Sequence, residues 1–166
     1  MSDENLIWCL KQKRGIRIIE PNPNLSKAYL KKAISALNTM TAVVKINESD
    51  WVNTTAYYAR YFALYALLMK IGVKSEIHDC TINMAKLLAD SGILTLDLVE
   101  DIAKAKQTRI DTQYYVEKEQ SPKIIQGNVE AARKFVLETE KAIDNLTAEQ
   151  ISVIRVQLKK LKEQAT

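Results

Sequence analysis

The sequence is poor in the residues that break a chain into turns. Four Gly and three Pro serve 166 positions. A strand-rich domain needs more punctuation than that, so helices are favoured. Histidine is scarcer still, since His78 stands alone, and no multi-histidine metal site exists within the chain. The two cysteines, Cys9 and Cys80, are in no C-x-x-C spacing and write neither a zinc nor a redox motif. A Gly-rich phosphate loop, an H-E-x-x-H helix and a G-x-S-x-G elbow are all missing. The acidic residues are scattered without a paired helical pattern, so the expectation is a protein with no metal and no cofactor.

Charge of one sign is also in short supply. The formal net charge is +4, which permits contact with nucleic acid without demanding it. The acidic, polar start before Leu6 does not read as a secretory leader. A cytoplasmic protein with reduced thiols is expected, an internal disulfide being expected only in a hyperthermophile host.

What the chain does have is one unusual stretch, Trp51 to Ile71. Four tyrosines, one phenylalanine and one tryptophan fall within 15 positions, and Arg60 is the only charge before Lys70. Wound as an α-helix, one face carries Trp51, Thr55, Tyr58, Phe62, Tyr65 and Met69. Another carries Thr54, Tyr57, Tyr61, Leu64, Leu68 and Ile71. A helix apolar on nearly every side must be covered on nearly every side, so it reads as the central helix of an all-α domain. Its length suits a membrane span, but Asn53, Thr54, Thr55, Arg60 and four phenols are costly in hydrocarbon. No membrane partner is expected.

Around it the periodicity gives further helices. The lead-in, residues 1–23, holds a short helix over Asn5 to Lys13, an extended piece at Ile16 to Ile19, and a close at Pro21 and Pro23. A helix from Asn24 or Leu25 to Lys45 carries the stripe Leu30, Ile34, Leu37, Thr41 and Val44, broadened by Ala33 and Met40, with Lys27, Lys31 and Lys32 off it. Ser49 or Asp50 is the expected N-cap of the aromatic helix, and Gly72 its left-handed stop. A short helix runs from Ile77 to Asp90. Thr95 caps a longer one to about Lys118, with Leu98, Ile102, Ala105, Arg109, Thr112 and Val116 inward. Ser121-Pro122 starts a helix to Asn145, and Thr147 to Gln150 has capping-box spacing for a last helix to Glu163. Its outer face carries Arg155, Lys159, Lys160 and Lys162. The architecture expected is an up-and-down antiparallel bundle over 24–118, with a C-terminal helical hairpin over 119–166 packed on or extending it.

Three side chains stand out as candidates for function. Arg60 either reaches a carboxylate on a neighbouring helix or binds phosphate in a cleft where Tyr57, Tyr58 and Tyr61 stack bases. Arg109, on an apolar line, either finds a structural acceptor under an aromatic lid or marks a polar cleft with Tyr114. His78 reads as a local hydrogen-bonding group or as a lone general base.

The order of Thr54-Thr-Ala-Tyr-Tyr-Ala59, Ala66-Leu-Leu68, Ile77-His78, and Arg109 followed by Tyr114 resembles the HEPN superfamily over about residues 24–118. The nearest likeness is an uncharacterised prokaryotic branch with a Ser-Arg-Ala-Tyr-Tyr-Ala helix, a Thr-His and an Arg-x-x-Ala-Asp-Tyr. Thr55 stands where that branch has Arg, Tyr61-Phe62 where it has Phe-His, Gln113 where it has Asp, and Ile77 where it has Thr. The resemblance implies a bundle that dimerises through its long helices. Such proteins are often encoded beside a minimal nucleotidyltransferase, as a partner in toxin–antitoxin-like modules. Some members are metal-independent ribonucleases with an Arg and, five to seven residues later, a His in the same helix. Tyr114 holds the fifth position after Arg109, and a phenol is a poor base at neutral pH. The expectation is therefore a non-catalytic homodimer that binds nucleotide, RNA or a nucleotidyltransferase. The alternatives are a ribonuclease using Arg109 with Tyr114 or His78, and a purely structural interaction module.

Overall fold

The computed structural model describes residues 3–116 and 119–165. Seven helices make up nearly all of it: α1 (Glu4–Lys11), α2 (Pro23–Lys45), α3 (Ser49–Ile71), α4 (His78–Asp90), α5 (Leu96–Tyr114), α6 (Pro122–Asn145) and α7 (Ala148–Gln164). Two short strands, β1 (Arg17–Ile18) and β2 (Val73–Lys74), pair antiparallel. The extended lead-in expected at Ile16 to Ile19 thus ends in a small ribbon. The fold is the all-α bundle that the sequence predicts.

The aromatic helix, α3, is the axis. It packs on α2, α5 and α6, and its Tyr57, Leu64, Leu68 and Ile71 are fully buried. Burying each such Leu or Ile contributes about 1.5–3 kcal/mol. Ala56, Ala59, Ala63 and Ala66 are buried too, and their small side chains let neighbours approach closely. The face with Thr55, Tyr58 and Phe62 is only half-buried, so solvent reaches α3 along that line. No described helix is long and apolar enough to cross a membrane.

The ends of α3 are closed differently from expectation. Gly72 is left-handed as expected, at φ 87°. The N-cap is Glu48, without a side-chain cap bond, in place of Ser49 or Asp50, which lie inside the first turn. At the other end Arg155 of α7, placed by sequence on an outer solvated face, turns inward. Its Nη1 donates to the carbonyls of Ile19, Ile71 and Gly72 at 2.5, 3.2 and 3.1 Å. A cation there meets the negative end of the α3 dipole.

Other stripes hold with shifts. On α2 the fully buried positions are Ser26, Ala33 and Met40, while Ile34 is exposed. The true stripe is therefore centred on small residues where α2 lies close to α3. On α5, Leu98, Ile102, Ala105 and Thr112 face inward as expected, but Val116 is beyond the helix end and exposed. The expected end at Lys118 lies outside the described residues. The Ser121 cap and the Thr147–Gln150 capping box both form.

Of the last two helices, α6 packs on α2, α3 and α5, and α7 packs on α1, α3 and β1. Phe135 is fully buried in the main core. Asn128 Nδ2 donates to Asn53 Oδ1 at 2.8 Å, and Asn53 Nδ2 donates to Gln120 Oε1 at 2.8 Å. The reduced thiols expected from the sequence are replaced by a Cys9–Cys80 disulfide, Cα–Cα 5.6 Å, that ties α1 to α4. It closes a loop of 71 residues, which stabilises by about 4 kcal/mol if chain entropy is the main term.

Candidate functional site

Tyr57, Tyr58, Tyr61 and Phe62 leave successive turns of α3 and meet His78 at the first position of α4. His78 stacks on Tyr61, with ring centroids 4.3 Å apart and planes within 12°. Its Nδ1 lies 2.5 Å from the Tyr57 hydroxyl. Tyr57 and Tyr58 meet edge to face at 5.5 Å, and Tyr58 stacks on Phe62 at 5.8 Å. Tyr29 of α2 continues the strip, stacking on Phe62 at 6.3 Å.

Arg109 comes to this strip from α5. Its guanidinium carbon is 4.8 Å from the Tyr57 ring centre and 5.7 Å from that of Tyr58. Its Nη1 donates to the Tyr58 hydroxyl at 3.3 Å. Its Nε is buried with no hydrogen-bond partner, and no carboxylate pairs with it among the described residues. A guanidinium held on ring faces is attracted by their quadrupole, yet keeps donors for an anion.

The electrostatics of the strip favour neutral rings beside fixed cations. Burial pushes the Tyr57 phenol far above its usual range, outweighing the pull of Arg109. Burial also raises Tyr61, and raises Tyr65 to about 12. His78 is lowered, first by burial and then by Arg109 and Lys106, with Asp79 opposing. Tyr57 therefore stays protonated, and its hydroxyl has no other acceptor among the described residues. It donates to His78 Nδ1, which assigns the ring proton of the neutral imidazole to Nε2. His78 thus presents an N–H and not a free lone pair.

The remaining sequence candidates lie elsewhere. Arg60 is fully buried and is held by Asp101 of α5, with Nε to Oδ2 at 2.7 Å and Nη2 to Oδ1 at 3.0 Å. It also donates to the carbonyls of Ala56 and Asn128 at 3.0 and 3.2 Å. This is the carboxylate reading of Arg60; four of its five N–H donors are taken. Tyr114 closes α5 with its ring 73% exposed and lies outside the ring contacts of the strip. Sequence reasoning missed Lys106, ion-paired with Asp79, and Lys32, whose Nζ sits 4.8 Å over the Phe62 ring. Lys32 falls three residues after Tyr29, and that i,i+3 spacing was the available signal.

Several clefts lie away from the strip. One of about 400 Å³ is lined by Glu48, Asp50, Asn53, Thr112, Tyr115 and Glu119. Another of about 380 Å³ opens beside the Arg60–Asp101 pair. The first is acidic, and the second has its arginine already paired with Asp101. Among the described residues no three His, Cys, Asp or Glu side chains gather into a metal-binding group.

The described residues thus form an all-α bundle in which Arg109 lies against two phenol rings of the central helix, with no carboxylate paired to it among them. The family model of the HEPN domain matches residues 26–144, and the chain belongs to that family. The match runs from α2 through α6, further than the likeness over 24–118 seen in the sequence. Membership directs the function toward nucleotides or RNA, bound or cut. A comparison with curated proteins gives no match.

Proposed function

We propose that the protein binds nucleotide or RNA at the Arg109–Tyr58–His78 strip without cutting it, and that it works as a homodimer. The observation carrying this reading is Arg109: half-buried, backed by Tyr57 and Tyr58, and without a carboxylate partner among the described residues. Its Nε is buried, but Nη2 is not among the buried unpaired atoms and makes no hydrogen bond among the described residues, and its donors suit a phosphate. The half-buried Tyr58 and Phe62 offer ring surface for a base, and the His78 Nε2–H adds a neutral donor.

The ribonuclease reading has one observation in its favour, the closeness of Arg109 to His78. A base that takes the 2′-hydroxyl proton needs an unoccupied lone pair. In His78 that lone pair accepts from Tyr57, so binding without cleavage is the better supported of the two. A nucleotidyltransferase partner would use the same nucleotide-directed surface.

Titrating the protein with AMP and with fluorescein-labelled hexauridylate tests the reading. Salt-dependent binding that disappears in Arg109→Ala supports it. Cleavage of the hexauridylate in EDTA, abolished by Arg109→Ala and by His78→Gln, would replace it with the ribonuclease reading. Salt-insensitive capture of a protein partner with no affinity for either probe would favour a structural module, since phosphate contacts weaken steeply with salt. Light scattering tests the dimer, and a monomer at working concentration removes that part.

A further inference from the structure

The strip has a second cation, and its position bears on how long the ligand is. Lys32 is exposed on α2, and its Nζ folds back over two rings. It lies 4.8 Å over the Phe62 ring and 5.9 Å from that of Tyr29. No carboxylate pairs with it among the described residues. Arg109 meets the Tyr58 ring in the same way at 5.7 Å. Tyr58 and Phe62 are four residues apart on α3, hence about 6 Å along its axis, and their rings stack at 5.8 Å. Two cations without carboxylates therefore back onto two successive rings of one half-buried line.

The two cations lie over different rings, and two phosphates joined through a sugar give each cation an anion of its own. Between them the rings of Tyr58 and Phe62 offer the sequence-tolerant surface on which bases of a single strand stack. A duplex holds its bases inward and gives such rings nothing to stack on.

We infer that Lys32 binds a second phosphate, and that the site takes a single-stranded oligonucleotide laid from Arg109 to Lys32 over Tyr58 and Phe62, in preference to a mononucleotide. This rests on the proposed function above and deepens it. The test uses the full chain with two probes, AMP and fluorescein-labelled hexauridylate. Lys32→Met keeps the apolar stem over Phe62 and removes the charge; Lys32→Glu reverses it. Expected for Lys32→Met is hexauridylate binding weaker by roughly five- to tenfold, the size of one exposed charge-assisted hydrogen bond. Its salt slope falls by about 0.7, the value for one phosphate of a single strand that is no longer neutralised. AMP affinity stays unchanged, and Lys32→Glu weakens hexauridylate further. Unchanged hexauridylate affinity and slope in both variants would overturn the inference while leaving Arg109-dependent AMP binding intact. So would a hexamer duplex that competes as well as the single strand. Full binding of both probes by Arg109→Ala sinks the parent reading instead.

Discussion

Two arginines bridge the same pair of helices in opposite directions. Arg60 leaves α3 and meets a carboxylate on α5. Arg109 leaves α5 and meets phenol rings on α3. The first has its charge paired and four of its five donors bonded, so it holds helices together. The second has its flat face covered by rings and no carboxylate beside it among the described residues, which is what the proposed ligand site uses. The type of partner, and not depth alone, separates a structural guanidinium from a receptive one.

The contrast breaks most visibly at Asp101. Asp101→Ala leaves Arg60 buried and unpaired, and should cost about 3–5 kcal/mol in urea unfolding. A loss under about 1 kcal/mol would mean that Arg60 finds another acceptor. Arg109→Ala should behave in the opposite way. It removes nucleotide binding and changes unfolding by no more than about 1–2 kcal/mol, the scale of a partly desolvated cation–π interaction. A larger loss would place Arg109 with Arg60 as a structural residue.

Smaller effects sharpen the receptive side. Tyr57→Phe deletes the hydroxyl facing His78 and should cost about 1 kcal/mol. It should also release the imidazole tautomer, which nitrogen chemical shifts of His78 would register as mixed in place of Nε2–H alone. The smallest effect is on pH. The folded His78 holds its proton less tightly than the unfolded ring, whose ordinary value is 6.5. Between the two values the unfolded state binds more protons, so this contribution is present above about 6.5 and lost as pH falls toward the folded value. His78→Gln should flatten that part of the stability profile, and an unchanged profile would show that His78 titrates normally.

Much of the bundle was legible because α3 is apolar on nearly every side. The face Thr54, Tyr57, Tyr61, Leu64, Leu68 and Ile71 is buried throughout, as periodicity requires. What decided the site was less legible. His78 and Arg109 are 31 residues apart and reach the same rings, Tyr57 and Tyr58, because α4 and α5 both pack on α3, which no local pattern encodes. Tyr114 follows Arg109 in sequence but sits at the fraying end of the helix, where the ring turns outward. Periodicity puts Lys32 off the apolar stripe, and its approach to a ring depends on which side of α2 faces α3. The Cys9–Cys80 pairing depends on α1 lying against α4, which spacing cannot give.

The clasp made by Arg155 has a consequence for how the chain matures. Its guanidinium gathers carbonyls from the lead-in at Ile19 and from the α3 terminus at Ile71 and Gly72. During synthesis those oxygens emerge long before residue 155 does. Until then the amino-terminal ribbon lacks its latch, so this contact closes only once α7 has left the ribosome.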